Sequence, residues 1–170
     1  MFKSTDAGLT WRNVGLRNVA GFADIRVNST NGQIVYALGA KSGGGFYRSI
    51  DGGESWTLTL ALEGRSMSVN PKDPQEILIS STTQIHRSTD GGLSWSNVNT
   101  GISSTNVTRI SIAFAPSQPS VAYAMVSRIS GADEIGDVYY SSNSGRNWTK
   151  RARLERYFFN KQGFYNHCIA

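Results

Sequence analysis

Apolar positions along the chain fall in short runs separated by clusters of Gly, Asn, Asp, Ser and Pro, and each run predicts a strand. Residues 2–4 and 10–14 form a first pair. A first group of four strands follows at residues 24–27, 33–38, 45–49 and 55–60. A second occupies 66–69, 76–80, 84–88 and 94–98, and a third 109–114, 121–126, 137–141 and 147–150. The second strand of the first group is largely apolar without clean alternation, as suits a strand buried on both faces. Pro71 and Pro74 sit in the turn between two strands, where a missing N–H does no harm. Residues 127–136 read as the longest loop of their kind, and residues 165–170 as one further strand. The pattern predicts an all-β protein.

Between the third and fourth strand of every group lies the same short unit. Its copies are Ser4-x-Asp6-x-Gly8 ending at Trp11, Ser49-x-Asp51-x-Gly53 ending at Trp56, Ser88-x-Asp90-x-Gly92 ending at Trp95, and Ser141-x-Asn143-x-Gly145 ending at Trp148. Together they read S-x-D-x-G-x-(S/T)-W, with Asn replacing Asp once, and they use all four tryptophans of the chain. The Asp side chain accepts from backbone N–H groups just ahead of it, closing an Asx-type turn. The Gly tolerates positive φ, and the Trp packs on the hairpin while its N–H seeks an acceptor. Asn143 keeps an acceptor oxygen but loses the charge, which predicts weaker bonds in the fourth turn.

This unit resembles the BNR repeat, or Asp-box, of sialidases, sortilin-type receptors and xyloglucanase-type glycoside hydrolases. The resemblance implies a β-propeller whose blades each carry the box at the turn joining strands three and four. The box positions are 45, 39 and 53 residues apart, and propeller blades repeat at about 40–50 residues. The expected segment is therefore a half blade at 1–14, complete blades at 23–60, 66–98 and 109–150, and the first strand of another at 165–170. Three full blades and two partial ones do not close a ring easily, which points to a fragment of a longer propeller.

Composition narrows the function classes. In 170 residues the net charge is +5, and the four Trp and seven Tyr do not alternate with a basic stripe, so nucleic acid is not an expected partner. Cys168 is the only cysteine, which excludes an internal disulfide. No apolar run approaches the ~20 residues that span a bilayer, and Met1-Phe2-Lys3 leads straight into the first box without a signal peptide. The family resemblance implies a secreted or cell-surface protein.

Candidate chemistry is sparse. Read alone, Asp6, Asp51 and Asp90 resemble calcium ligands, but a calcium loop needs alternating oxygen ligands and a terminal Glu, so a structural role and no metal or cofactor are expected. In the families named, the box lies away from the substrate. Loops joining strands two and three, and the connectors between blades, form the opposite face. Its carboxylates are Glu63, Asp133, Glu134 and Glu155, with Asp24 at the mouth of a first strand. Asp133, Glu134, Glu63 and Asp24 are the candidates for glycoside hydrolysis, which needs two carboxylates about 5–5.5 Å or about 6.5–9.5 Å apart. The Arg-Ile-Pro motif and the arginine cluster of a sialidase do not appear, nor do the two loop aspartates of a xyloglucanase. His86 and His167 lack metal-ligand spacing. The basic run 150–156 reads as a solvated connector, or as a surface for an anionic polysaccharide or partner domain. The sequons beginning at Asn28, Asn106 and Asn147 are short enough to arise by chance.

Two function classes stand. The first is a non-catalytic propeller segment that binds a carbohydrate or a protein. The second is a piece of a glycoside hydrolase whose catalytic loops lie largely outside this chain.

Overall fold

The computed structural model describes residues 1–131 and 133–154. Among them, β1 (Phe2–Lys3) and β2 (Arg12–Asn13) form a two-stranded sheet. Three four-stranded sheets follow. The first contains β3 (Phe22–Val27), β4 (Val35–Gly39), β5 (Phe46–Ser49) and β6 (Thr57–Leu60). The second contains β7 (Ser66–Val69), β8 (Ile77–Ser80), β9 (Ile85–Ser88) and β10 (Ser96–Asn97). The third contains β11 (Val107–Phe114), β12 (Ala122–Ser130), β13 (Asp133–Ser141) and β14 (Thr149–Leu154). Every strand pairs antiparallel with its neighbour in sequence, which is the meander of a propeller blade. No helix occurs among the described residues.

The chain divides into two compact units, Met1–Gly64 and the part from Arg65 onward. In the first, β4 is buried along its whole length, with Tyr36 and Phe46 in tilted contact at 5.5 Å between ring centroids. In the second, Leu78 and Ile85 of one sheet share a core with Ile110, Ile112, Phe114, Val126, Tyr139 and Trp148 of the next. Serine hydroxyls stitch the same two sheets together. Ser66 Oγ accepts from the Ile112 N–H at 3.2 Å, Ser68 Oγ accepts from Phe114 N–H at 3.0 Å, and Ser80 Oγ donates to the Ile110 carbonyl at 2.7 Å. They serve backbone groups that β11's other edge, paired to β12, does not use.

Two expectations need correction. Residues 127–130 and 133–136 are strand and not loop. They extend β12 and β13 into a long hairpin in which Ser130 faces Asp133 and Ile129 faces Glu134. Likewise Lys150–Leu154 continue β14 instead of forming a connector, so the basic run is an edge strand as far as it is described. Both stretches place charged residues where a half-buried strand ordinarily shows apolar ones, and Asp137 pairs there with Arg128, Lys150 and Arg153 across the sheet. Sheet edges otherwise differ by a residue or two from the expected limits: β3 starts at Phe22, in mid-strand of which Asp24 sits, and β11 starts at Val107. The strand expected at 165–170, with His167, Cys168 and Glu155, lies outside the described residues.

Candidate functional site

The four boxes share one hydrogen-bond plan. Ser49 Oγ accepts from Asp51 N–H and Gly53 N–H and donates to Asp51 Oδ1 at 2.7 Å. Asp51 Oδ1 also takes the N–H groups of Glu54 and Ser55, both at 2.9 Å, and Oδ2 takes the Ser55 hydroxyl at 2.5 Å. Asp90 repeats this with Ser88, Leu93 and Ser94, and Asp6 with Ser4 and Thr10. A carboxylate offers about four acceptor sites; the hairpin supplies four donors to Asp51 and Asp90 and three to Asp6. Among the described residues no cluster of three or more His, Cys, Asp or Glu is placed to hold a metal ion.

Charge-favouring bonds depress the acids. Hydrogen bonds from Thr10 and Ser4 lower Asp6 to about 2. Bonds from Ser55 and Ser49 lower Asp51 further. Burial raises Asp90, but bonds from Ser94, Ser88 and Leu93 outweigh it and bring it to about 2.

Two successive residues of each box are left-handed: Ala7 and Gly8, Gly52 and Gly53, Gly91 and Gly92, Ser144 and Gly145. The second residue of each pair is the box Gly. In the last three pairs the first donates its N–H to the turn ahead of its own sheet's second strand, Gly52 to Gln33, Gly91 to Gln75 and Ser144 to Ser120. In the fourth box Asn143 Oδ1 takes only Ser141 Oγ at 2.9 Å and the Asn147 N–H at 3.0 Å as side-chain acceptor bonds. The residue before Trp148 is Asn147, so the hydroxyl that the other boxes aim at Oδ2 has no counterpart. Two departures from the pattern therefore occur together.

The tryptophans reach backward. Trp56 Nε1 donates to the Val14 carbonyl at 3.1 Å, and Trp148 Nε1 to the Val98 carbonyl at 3.0 Å. Each acceptor lies three residues past the Trp of the preceding sheet. Trp11 donates to Gly8 of its own hairpin at 3.0 Å.

On the face away from the boxes, the β12–β13 hairpin gathers charge. Buried Asp137 pairs with Arg128 at 3.0 Å, with Arg153 at 3.3 Å and with Lys150. Arg128 also donates to the Tyr139 hydroxyl at 3.2 Å and the Ser103 carbonyl at 3.3 Å. Three cations thus surround one carboxylate. On the other side of the sheet Arg151 lies 4.6 Å above the Tyr140 ring, which meets Tyr123 edge-on at 5.6 Å.

The candidate acids have separate local partners. Asp24 pairs with Arg26 at 3.0 Å and caps its neighbour Ile25 N–H. It lines an open cavity of ≈ 370 Å³ with Met1, Phe22, Ala23 and Ile25. Glu134 is buried and accepts from Thr108 Oγ1 at 2.9 Å. Asp133 is next to it on one strand, so the two side chains leave opposite faces. Glu63 follows β6 in the first unit. His86 lies in β9, and burial lowers its pKa. Burial and the charge of Arg65 lower that of Arg109.

A family model described as "Sortilin-Vps10: Sortilin, neurotensin receptor 3" matches residues 44–167. The chain belongs to the Sortilin-Vps10 family. Curated proteins yield no match. Among solved structures, an ancestral GH74 enzyme aligns with a TM-score of 0.71 and 21% identity, over 89% of this chain and 21% of that one. The GH74 xyloglucanase from Xanthomonas campestris gives 0.68 and 17%, over 89% and 26%. YCF48 from Cyanidioschyzon merolae gives 0.56 and 22%, over 82% and 39%. The Sortilin-Vps10 chain thus spans well under two thirds of these relatives. At such identities the likeness is one of fold, and the fold is a β-propeller segment.

A second repeated device escaped the sequence reading. Buried Asn28 bonds Thr30 and Asn31 N–H, and buried Asn70 bonds Lys72 and Asp73 N–H, each opening the turn after a first strand. Val27-Asn28 and Val69-Asn70 followed three residues later by Asn31 and Asp73 were the available signal. Burial of Asn28 also leaves its sequon without an accessible amide.

Proposed function

We propose that this Sortilin-Vps10 chain is a non-catalytic Asp-box propeller segment of a secreted or cell-surface protein, and that it binds an acidic polysaccharide. The observation that carries this reading is the ion cluster of β12–β14. One carboxylate, Asp137, faces Arg128, Lys150 and Arg153, which leaves two positive charges in excess. Lys150 and Arg153 are the exposed members, suited to a ligand that supplies the missing anions. The non-catalytic part is supported by Asp24 and Glu134, each committed to a partner, and by the divergence of Asp133 from Glu134. The box aspartates belong to the turns and not to the ligand.

Affinity electrophoresis through gels containing polygalacturonate, a sulfated glycan or neutral xyloglucan tests the reading. Acidic gels should retard the protein, less so as salt rises, and Lys150→Gln with Arg153→Gln should abolish the retardation. Equal mobility in all gels would reject it. The likeness to GH74 enzymes favours the second reading, a hydrolase fragment. Release of reducing sugar from xyloglucan or β-glucan, lost on Asp133→Asn or Glu134→Gln, would establish that one instead.

A further inference from the structure

Glycine follows an acid or its amide at three places in the chain, Asn31-Gly32, Asp51-Gly52 and Asp90-Gly91. With no Cβ in the way, each dipeptide can close a succinimide on itself. In that reaction the backbone nitrogen of the glycine attacks the side-chain carbonyl carbon before it. The nitrogen must be free to give up its proton, and the carbonyl must not be a carboxylate anion, which repels the attack.

The two boxes withhold both conditions. Gly52 N–H is held by the Gln33 carbonyl at 2.8 Å, and Gly91 N–H by the Gln75 carbonyl at 3.0 Å. The hydrogen bonds that Asp51 and Asp90 accept inside their hairpins favour the charged carboxylate.

Asn31-Gly32 meets both conditions. It lies in the exposed turn between β3 and β4. Among the described residues the Gly32 N–H has no acceptor. The Asn31 carboxamide is uncharged, and its Oδ1 accepts from the Gln33 N–H at 3.0 Å. That donor stands where negative charge develops on the oxygen as the nitrogen adds.

We infer that Asn31 is a site of spontaneous covalent modification, deamidated through a succinimide to aspartate and isoaspartate. Hydroxide takes the Gly32 proton, the nitrogen bonds to Asn31 Cγ, and the Cγ–Nδ2 bond breaks. Nδ2 leaves as ammonia with a proton from water, which restores the hydroxide. Water then opens the ring. Cleavage between the nitrogen and Cγ gives aspartate, and cleavage between the nitrogen and the main-chain carbonyl carbon gives isoaspartate. Nothing is oxidised or reduced. Isoaspartate lengthens the backbone by a methylene and turns the Asn31 carbonyl, the acceptor of Ile34 N–H at 3.0 Å, into a pendant carboxylate. The same turn carries the Gln33 carbonyl that holds Gly52, so ageing loosens the grip on the second box. This chemistry is independent of the polysaccharide reading.

Incubation of the intact chain in warm, mildly alkaline buffer tests the inference. Mass should rise by the exchange of NH2 for OH, with ammonia released, and peptide mapping should place the change at residue 31. Isoaspartate methyltransferase should label that peptide and neither box peptide while the chain is folded. In urea the peptides of Asp51 and Asp90 should become labelled too. A Cβ at Gly32 meets nothing within 4 Å and its φ is not positive, so Gly32→Ala should fold and lose the modification over the same interval. Aged chain should melt below fresh chain. Asn31→Asp, which carries the charge on an ordinary backbone, should melt with the fresh chain. Three results would each overturn the inference. One is an intact Asn31 after the time in which a peptide of residues 29–34 deamidates. Another is isoaspartate at Asp51 or Asp90 of the folded chain ahead of residue 31. The third is equal modification of Gly32→Ala.

Discussion

Trp148 donates its indole N–H to the carbonyl of Val98 at 3.0 Å, tying the fourth box to the end of the sheet before it. The box is usually legible as a local turn, yet its most conspicuous side chain acts between sheets. Trp148→Phe keeps most of the ring and removes that donor, leaving a part-buried carbonyl underserved. It should cost about 1–3 kcal/mol in urea unfolding. Trp11→Phe, at an exposed ring, should stay within about 0.5 kcal/mol.

Asp90→Ala strips acceptors from the Leu93 and Ser94 N–H groups and from two hydroxyls. A loss of about 1–3 kcal/mol is expected, with polysaccharide retardation unchanged. Loss of retardation at unchanged melting would place Asp90 in the ligand site.

The paired departures in the fourth box predict coupling. Asn143→Asp with Asn147→Ser restores the carboxylate–hydroxyl bond made by Asp51 and Ser55. Chemical denaturation of the two single variants and the double should give a favourable interaction energy of about 0.5 kcal/mol or more. Strict additivity would show that the hydroxyl contributes nothing.

Acid should undo the boxes in a defined window. Asp6 and Asp90 are depressed to about 2 from an ordinary 3.8. Hydrogen bonds and charge from Arg12, then Lys3, bring Glu54 to about 2 from 4.5. A depressed acid contributes stability that is complete above its unfolded pKa and disappears as pH falls through its folded one. Melting temperature should therefore hold down to about pH 5 and fall steadily between about pH 4 and pH 2. A flat profile across that window would contradict these bonds.

Asp137→Asn removes the one carboxylate among three cations, leaving buried Arg128 without its counter-charge. Breaking a buried pair from one side costs about 3–5 kcal/mol. Asp24→Asn, which breaks the exposed pair with Arg26, should cost less than about 1 kcal/mol. The same unfolding titrations compare the two.

What the sequence made legible follows from where chemistry is local. The box recurs with a fixed spacing because Ser, Asp, Gly and Trp must meet within one turn, so its residues stand side by side in the chain. The leading Ser and the hydroxyl before the Trp were in the pattern, but their service to the same carboxylate emerged only from the geometry. Non-local partners left no such trace. Val98 as acceptor for Trp148 and Ser120 as acceptor for Ser144 are backbone groups, indifferent to residue type. The long hairpin was misjudged for a different reason. Arg128 and Asp137 sit inside because they neutralise each other, and an interior charge pair erases the alternation by which strands are recognised.

Three of the four boxes rest on the turn of their own sheet, through Gly52 and Gln33, Gly91 and Gln75, Ser144 and Ser120. One end of each four-stranded sheet is thereby clamped to itself, which leaves the other end freer to change in length. Box spacings vary between 39 and 53 residues, and the longest contains the extension of β12 and β13, which lies at the rim of its sheet away from the clamp. A lineage built this way can remodel that rim blade by blade, each change inherited independently of its neighbours, while the opposite rim holds the architecture constant.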